Sequence, residues 1–233
     1  MYVLVSDLHK VNLWWSAKCG CTYTKYLFYN KILNKNIEYM HNEYPISIYN
    51  KNYDNFYICR DPYARILSCF IDKYINGFLT HLYKPISFKQ FVDDLYNFYI
   101  NGNKSYTFDI HHTTPQFSEA YPINDTEFKF KKILKLEEVN DKIILKEIYN
   151  MDDDKKEIYN FSVHYVNIQK NKNIHKNVYN IDYDMLTILK NNNLVPNFIS
   201  FYNEDIKKKI EEIYKIDFEI LAKYNIKYDF NIL

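Results

Sequence analysis

Two short apolar runs, each followed by a polar loop and a helical pattern, constrain the fold of this 233-residue chain more than any other feature. Residues 12–16 (NLWWS) and 56–59 (FYIC) have the length and composition of buried strands. Strands that alternate with helices are typical of α/β domains, in which helices cover a largely parallel sheet. The sequence therefore predicts an α/β fold with helices on its sheet.

The segment after the second run has the residues of a phosphate site. Asp61 is a good helix N-cap, Pro62 suits the first helical position, and Ser68 falls about two turns into the predicted helix. The guanidinium of Arg60 offers a planar fork for two phosphate oxygens, and a serine hydroxyl adds a donor from another direction. The alternative is an ordinary strand-to-helix turn with an exposed arginine.

The loop after the first run, residues 17–25 (AKCGCTYTK), has a similar character. Backbone N–H groups at a helix N-terminus attract anions, and Lys18 and Lys25 add full positive charges. Gly20 is one of only three glycines in the chain. The loop lacks the Gly-Lys-Ser/Thr ending of a nucleoside-triphosphate P-loop, which weakens a kinase or ATPase interpretation. The sequence thus predicts two phosphate-binding loops.

Together these segments resemble the sulfotransferases that use 3′-phosphoadenosine 5′-phosphosulfate (PAPS), especially the carbohydrate, Golgi-type branch. Residues 18–25 are similar to the family's Lys-x-x-Cys-Thr-x-x-Lys loop, and residues 60–68 to its Arg-plus-Ser segment. Further similarities follow in the family's order, at 109–116 (DIHHTTPQ), 133–138 (ILKLEE) and 213–218 (IYKIDF).

The resemblance implies a P-loop-like, three-layer fold with a central, mostly parallel sheet flanked by helices. It also implies PAPS as the cofactor, with PAP as its product and no required metal. The implied cofactor-binding residues are Lys18, Cys19, Gly20, Cys21, Thr22, Tyr23, Thr24, Lys25, Arg60 and Ser68.

Sulfuryl transfer needs stabilisation of the leaving phosphate and a base for the acceptor proton. The resemblance gives the first role to Lys18. The catalytic base stays open among His111 and His112, which match the family's histidine segment, and His41, with Glu43 as a carboxylate option.

The predicted function is transfer of a sulfuryl group from PAPS to a hydroxyl acceptor, a carbohydrate in the leading interpretation. The alternative is a non-catalytic, sulfotransferase-like protein that binds nucleotide or glycan, and a kinase-like enzyme ranks third. The chain departs from the family pattern at two places. Ala17 stands where a proline is usual, which affects the rigidity of the loop, and His112-Thr113-Thr114 stands where bulkier residues are common, which affects the choice of acceptor.

Composition argues against several other classes of protein. The net charge of +1 argues against nucleic-acid partners, which select broad basic surfaces. Neither a long apolar run nor a signal-peptide core occurs, so we expect a soluble, cytoplasmic protein without stable membrane insertion. The four cysteines lack zinc spacing and are expected as reduced thiols.

The chain contains no linker-like segment, so residues 1–233 are predicted as one domain. The oligomeric state stays open.

Further elements follow from capping residues and periodicity. They are a helix that begins after Ser87, a strand over 132–136, a helix over 141–149, and a final helix from Asn203 to about Tyr224.

Overall fold

The computed structural model describes residues 1–35, 48–77, 79, 81–85, 87–105, 109–117, 127–152, 178–181, 186, 196 and 198–228. The candidate bases His41 and Glu43 lie outside the described residues, and their roles stay predictions.

The described elements comprise four strands and seven α-helices. The strands are β1 (Tyr2–Ser6), β2 (Val11–Trp15), β3 (Asp54–Cys59) and β4 (Lys132–Lys135). The helices are α1 (Cys21–Tyr26), α2 (Pro62–Cys69), α3 (Phe88–Tyr99), α4 (Ile110–Thr113), α5 (Asp141–Tyr149), α6 (Glu204–Ile213) and α7 (Lys215–Lys223). Two π-helical turns, Leu27–Ile32 and Phe70–Ile75, extend α1 and α2, and short 3₁₀ helices cover Val178–Asn180 and Phe198–Phe201.

The chain divides into two compact units. The first unit comprises Met1–Arg60 and Gln116–Phe161, and the second comprises Asp61–Pro115 and Ser162–Leu233. The single domain over residues 1–233 stays a prediction.

The first unit contains the sheet, whose strand order is β1-β2-β3-β4. The edge strand β1 pairs antiparallel with β2, whereas β2 with β3 and β3 with β4 are parallel. The mostly parallel sheet and its helices confirm the predicted α/β class. The sequence reasoning did not predict β1, which pairs with β2 through a short hairpin connection over residues 7–10.

Alternation along the strands gives the sheet two different faces. Leu13, Trp15, Phe56 and Ile58 point to one face and form a core with the buried side chains of α1, its π-helical turn and α5. The other face is more polar: the indole N–H of Trp14 donates to Asn55 Oδ1 at 2.9 Å.

The second unit is held by an aromatic and aliphatic core. It joins α2, α3 and α6, with Phe70, Phe88 and Phe91 fully buried and ring centroids of 5.2 Å for Phe70–Phe88 and 5.5 Å for Phe70–Phe91. None of the helices among the described residues is long and apolar enough to cross a membrane.

Capping explains where most helices begin. The side chains of Asp61, Ser87 and Asn203 accept backbone N–H groups in the first turns of α2, α3 and α6, as predicted, and Asn140 does the same for α5. The prediction of a single final helix is wrong, because the helix is interrupted at Tyr214, which separates α6 from α7. The ring of Tyr214 is buried and its hydroxyl donates to the Thr113 carbonyl at 2.7 Å.

Candidate functional site

Three neighbouring parallel strands end at one edge of the sheet. The chain leaves β2 at Ser16, β3 at Arg60 and β4 at Leu136, and the Leu136 N–H donates to the Cys59 carbonyl at 2.8 Å. In open α/β sheets, ligands bind outside the carboxyl ends of parallel strands. This edge therefore contains the part of the candidate site that lies in the first unit.

The loop between β2 and α1, residues 16–20, has an unusual backbone. A turn closes with the Cys19 N–H donating to the Ser16 carbonyl at 3.1 Å, and Lys18 takes a φ of 65°. Gly20, at φ 74°, precedes α1 in the left-handed region, where a side chain is strained. A Cβ at Gly20 would also lie 2.6 Å from Leu136 Cδ1, so both the conformation and the space favour glycine.

The first turn of α1 presents backbone donors and lacks acidic side chains. The first N–H groups of any helix have no partner within the helix, so those that begin α1 point toward the loop. Lys18, Gly20, Cys21 and Thr22 are each partly exposed. These four residues can contact a ligand at the surface of the loop.

The other four predicted residues of the loop are buried and have structural contacts. The Cys19 thiol lies 2.9 Å from Gln116 Oε1, and Thr24 Oγ1 donates to the Gly20 carbonyl at 3.0 Å. The ammonium of Lys25 lies 5.7 Å from the ring centroid of Trp15. Cofactor-binding roles for Cys19, Thr24 and Lys25 stay predictions.

Tyr23 links α1 to a neighbouring helix through its hydroxyl. Its hydroxyl donates to Asp141 Oδ1 at 2.7 Å, which ties α1 to the start of α5. Burial, together with the adjacent Asp141 carboxylate, raises the pKa of Tyr23 well above its ordinary value. Tyr23 therefore stays a neutral donor and anchors the helix, and a ligand role for it stays a prediction.

Arg60 is joined directly to the loop. Its Nη1 donates to the Lys18 carbonyl at 3.0 Å, and its Nε lies 3.9 Å from Glu137 Oε1. The Arg60 side chain is only 13% exposed. The structure thus brings the two cationic residues predicted from separate motifs, Lys18 and Arg60, into one hydrogen-bonded group.

Ser68, the predicted partner of Arg60, lies in α2 of the second unit and is partly exposed. Asp61 caps this helix by accepting the Tyr63 N–H at 2.9 Å, and Pro62 occupies its first position. The local conformation predicted for this motif is confirmed. The joint binding of phosphate by Arg60 and Ser68 stays a prediction.

The two described candidate bases lie on the short helix α4 of the second unit. His112 Nδ1 donates to Asp109 Oδ2 within one helical turn. Burial raises the pKa of Asp109, but the hydrogen bond from His112 and neighbouring positive charges outweigh it and leave this pKa below the ordinary value. Asp109 is therefore an ionised acceptor that orients the imidazole through Nδ1.

His111 differs from its neighbour. Partial burial of its ring, followed by the charge of His112, lowers the pKa of His111. A lowered pKa keeps its imidazole neutral at physiological pH. His111 is therefore a neutral imidazole beside His112, and its role as a base stays a prediction.

The histidine helix is fixed by hydroxyl contacts within the second unit. Thr113 Oγ1 lies 3.0 Å from the Tyr99 hydroxyl, and the Thr113 carbonyl accepts from Tyr214. Thr113 is fully buried. These contacts hold a helix of only four residues in place, which short helices do not achieve by themselves.

The sequence reasoning missed three contributors to these groups. Gln116 bonds the backbone of Arg60, Asp109 orients His112, and Leu136 lies against Gly20. Asp109 and Gln116 fall within the segment 109–116 that resembles the family, and this similarity was the only signal for them. Among the described residues, no three His, Cys, Asp or Glu side chains gather into a possible metal site.

Comparison with known proteins supports the predicted resemblance. A family model described as the sulfotransferase family matches residues 4–225, almost the whole chain. No curated protein and no solved structure matches the chain at a significant level. The match includes the β2–α1 loop, Arg60 and the histidine helix.

Proposed function

This chain belongs to the sulfotransferase family, and from that premise we propose that it transfers a sulfuryl group from PAPS to a carbohydrate hydroxyl. Sulfuryl transfer in general follows from the family. The donor, the acceptor class and the residue roles are the proposal, and they rest on the geometry of the two groups of residues described above.

The observation that carries the proposal is the hydrogen bond from Arg60 Nη1 to the Lys18 carbonyl. It joins the Arg60 guanidinium to the backbone of the loop that carries Lys18, at the carboxyl edge of a parallel sheet and beside the backbone donors that begin α1. A donor with phosphate groups at both its 3′ and 5′ positions suits such a pair, because charge-assisted hydrogen bonds to phosphate are strong. The residues present therefore fit PAPS.

Each residue has a distinct proposed task. When bound, PAPS supplies an activated sulfuryl group and a stable leaving phosphate. Lys18 neutralises the charge that grows on the leaving oxygen, and the N–H groups at the start of α1 orient it. Arg60 binds the 3′-phosphate, with Ser68 as the second contact that the family resemblance implies.

We assign the base to His112. Asp109 accepts from Nδ1, so in the neutral imidazole Nε2 is the nitrogen that can take a proton from an acceptor hydroxyl. The ionised carboxylate also stabilises the imidazolium that forms when this proton is transferred. The acceptor is a carbohydrate because the family resemblance is greatest with the carbohydrate branch.

Calorimetry with PAP, AMP and ATP tests the donor assignment. Wild-type protein should bind PAP more tightly than AMP, which lacks the 3′-phosphate. Arg60→Ala should weaken PAP binding by about 2 kcal/mol, or about 30-fold, because it removes a charge-assisted bond. AMP binding should barely change, and Lys142→Ala, an exposed lysine on α5, is the matched charge control.

Three results would contradict parts of the proposal. Equal losses for PAP and AMP would mean that Arg60 supports the loop rather than the 3′-phosphate. Tighter binding of ATP than of PAP would favour a kinase-like enzyme. Binding of PAP without sulfate transfer from PAPS to any sugar in a mixed glycan panel would favour a non-catalytic binding protein.

A further inference from the structure

Gln116 bonds to several residues at the carboxyl edge of the sheet, and the proposed mechanism does not use it. Its side-chain Oε1 accepts the Arg60 backbone N–H at 2.9 Å, and its Nε2 donates to the Arg60 carbonyl at 2.8 Å. One amide thus holds both backbone groups of one residue. This pair of bonds fixes the direction in which the chain leaves β3.

The same side chain also reaches the β2–α1 loop. Its Oε1 lies 2.9 Å from Cys19 Sγ, and the thiol is the donor because an amide oxygen carries no hydrogen. Cys19 follows Lys18 directly and is fully buried. The contact therefore holds the side chain of the residue that follows the proposed catalytic lysine.

The backbone of Gln116 is held in turn by the sheet. Ser16 Oγ donates to the Gln116 carbonyl at 2.9 Å, and the Tyr57 hydroxyl donates to Ser16 Oγ at 2.7 Å. These hydroxyls come from the end of β2 and from β3. Gln116 is only 1% exposed, so it acts through its neighbours and not by contact with a ligand.

We infer that Gln116 is a positioning residue for binding of the donor nucleotide. Its side chain holds the Arg60 guanidinium and the Lys18 loop in a fixed relation to each other. The identity of the ligand, PAPS or its product PAP, is taken from the proposed function. Arg60 Nη1 already donates to the Lys18 carbonyl, so one side chain that holds the Arg60 backbone and the Cys19 thiol keeps the guanidinium and the loop that carries Lys18 as one preformed site. Preformed sites bind more tightly because less conformational freedom is lost on binding.

The central test replaces the amide with a side chain of similar length that lacks hydrogen-bonding groups. Gln116→Met should weaken PAP binding at least 10-fold, because Arg60 loses both backbone bonds. The matched control is Gln90→Met on α3, which loses one side-chain bond to Asp94 Oδ1 at 2.7 Å. Gln90→Met should leave PAP affinity unchanged.

A double-mutant cycle separates positioning from a general loss of stability. If Gln116 acts through Arg60, then Gln116→Met in the Arg60→Ala background should cost less than 3-fold in PAP affinity, because coupled residues are not additive. Full additivity of the two losses would overturn the inference. Thermal unfolding of each variant identifies any that is not folded at the assay temperature.

A second variant guards against a Gln116→Met protein that does not fold. Gln116→Glu keeps the size of the side chain and an acceptor for the Arg60 N–H, but cannot donate to the Arg60 carbonyl once ionised. It should also weaken PAP binding at least 10-fold. Amide exchange at Arg60, measured without ligand, should accelerate in Gln116→Met and stay slow in Gln90→Met.

The outcomes distinguish this inference from the proposed function. If wild-type protein does not bind PAP, the proposed function fails and the positioning role for that ligand fails with it. If wild-type protein binds PAP and the folded Gln116 variants bind it equally well, only the positioning role fails. Weakened binding together with faster Arg60 exchange supports both.

Discussion

The carboxylate of Asp109 accepts a hydrogen bond from Nδ1 of His112, three residues further along the chain. Because an ionised carboxylate can only accept, Nδ1 carries the proton in this contact, and Nε2 is the atom to which we assign the base role. The Asp109 side chain is 16% exposed and that of His112 is 21% exposed, so the pair is partly shielded from water but still reachable. A general base requires this combination of orientation and access.

Replacement of His112 by alanine should lower turnover about 100-fold, as loss of a general base usually does, and should leave PAP affinity unchanged. Turnover is measured as sulfate transfer to the mixed glycan panel, and affinity by calorimetry. His111→Ala should have a smaller effect on turnover, since the proposed base is His112, whose Nδ1 is bonded to Asp109. His81→Ala, an exposed histidine, is the control. Full activity of His112→Ala would exclude His112 as the base, and His41 and Glu43 would then be tested.

Asp109→Asn should make the free energy of unfolding depend less on pH in the acidic range. The pKa of Asp109 is lower in the folded protein than its ordinary value, so the ionised form stabilises the fold above about pH 4. This stabilisation is lost as the pH falls through the folded pKa, and the asparagine variant has none to lose. Urea unfolding of both proteins between about pH 6 and pH 2.5 measures the difference. Asp152→Asn, at an exposed position, should follow the wild-type curve, and an equal flattening there would contradict the assignment.

Lys18→Ala should reduce turnover far more than PAP affinity. The contact of the lysine strengthens as charge builds on the leaving oxygen, and an interaction of this kind acts mainly on the transition state. Alanine and lysine both have a Cβ, so the left-handed conformation at position 18 costs the two residues a similar amount. Steady-state kinetics and calorimetry on the same preparation provide the comparison. Unchanged turnover would exclude the proposed role.

Gly20→Ala should destabilise the protein more than Gly102→Ala. Both glycines have positive φ, 74° and 70°, so alanine is strained at either position by about 1 kcal/mol. Only at Gly20 would the new Cβ meet another group, Leu136 Cδ1, whereas nothing lies within 4 Å at Gly102. Overpacking adds about 1–3 kcal/mol, measured by urea unfolding. A Leu136→Ala change should recover part of the difference, and equal losses at both glycines would show that the contact with Leu136 has no cost.

Helix starts were largely predictable from the sequence because capping is local. Asp61, Ser87 and Asn203 each accept an N–H two or three residues ahead, so a short stretch of sequence contains the complete signal. The buried strands β2 and β3 were also predictable, since their apolar runs are short and bounded by polar residues. By contrast, the helix break falls at Tyr214, whose hydroxyl bonds to the Thr113 carbonyl 101 residues away in sequence, and a contact at that separation has no local sequence signal.

The sequence by itself determined which residues could bind an anion. It supplied a glycine-containing loop with Lys18, and an arginine placed after a second strand. Only the tertiary structure decided that the Arg60 guanidinium contacts the Lys18 carbonyl across 42 residues of sequence, and that Gln116 holds Arg60 across 56. Such contacts depend on strand order and register, which are set by packing of the whole sheet rather than by local preference.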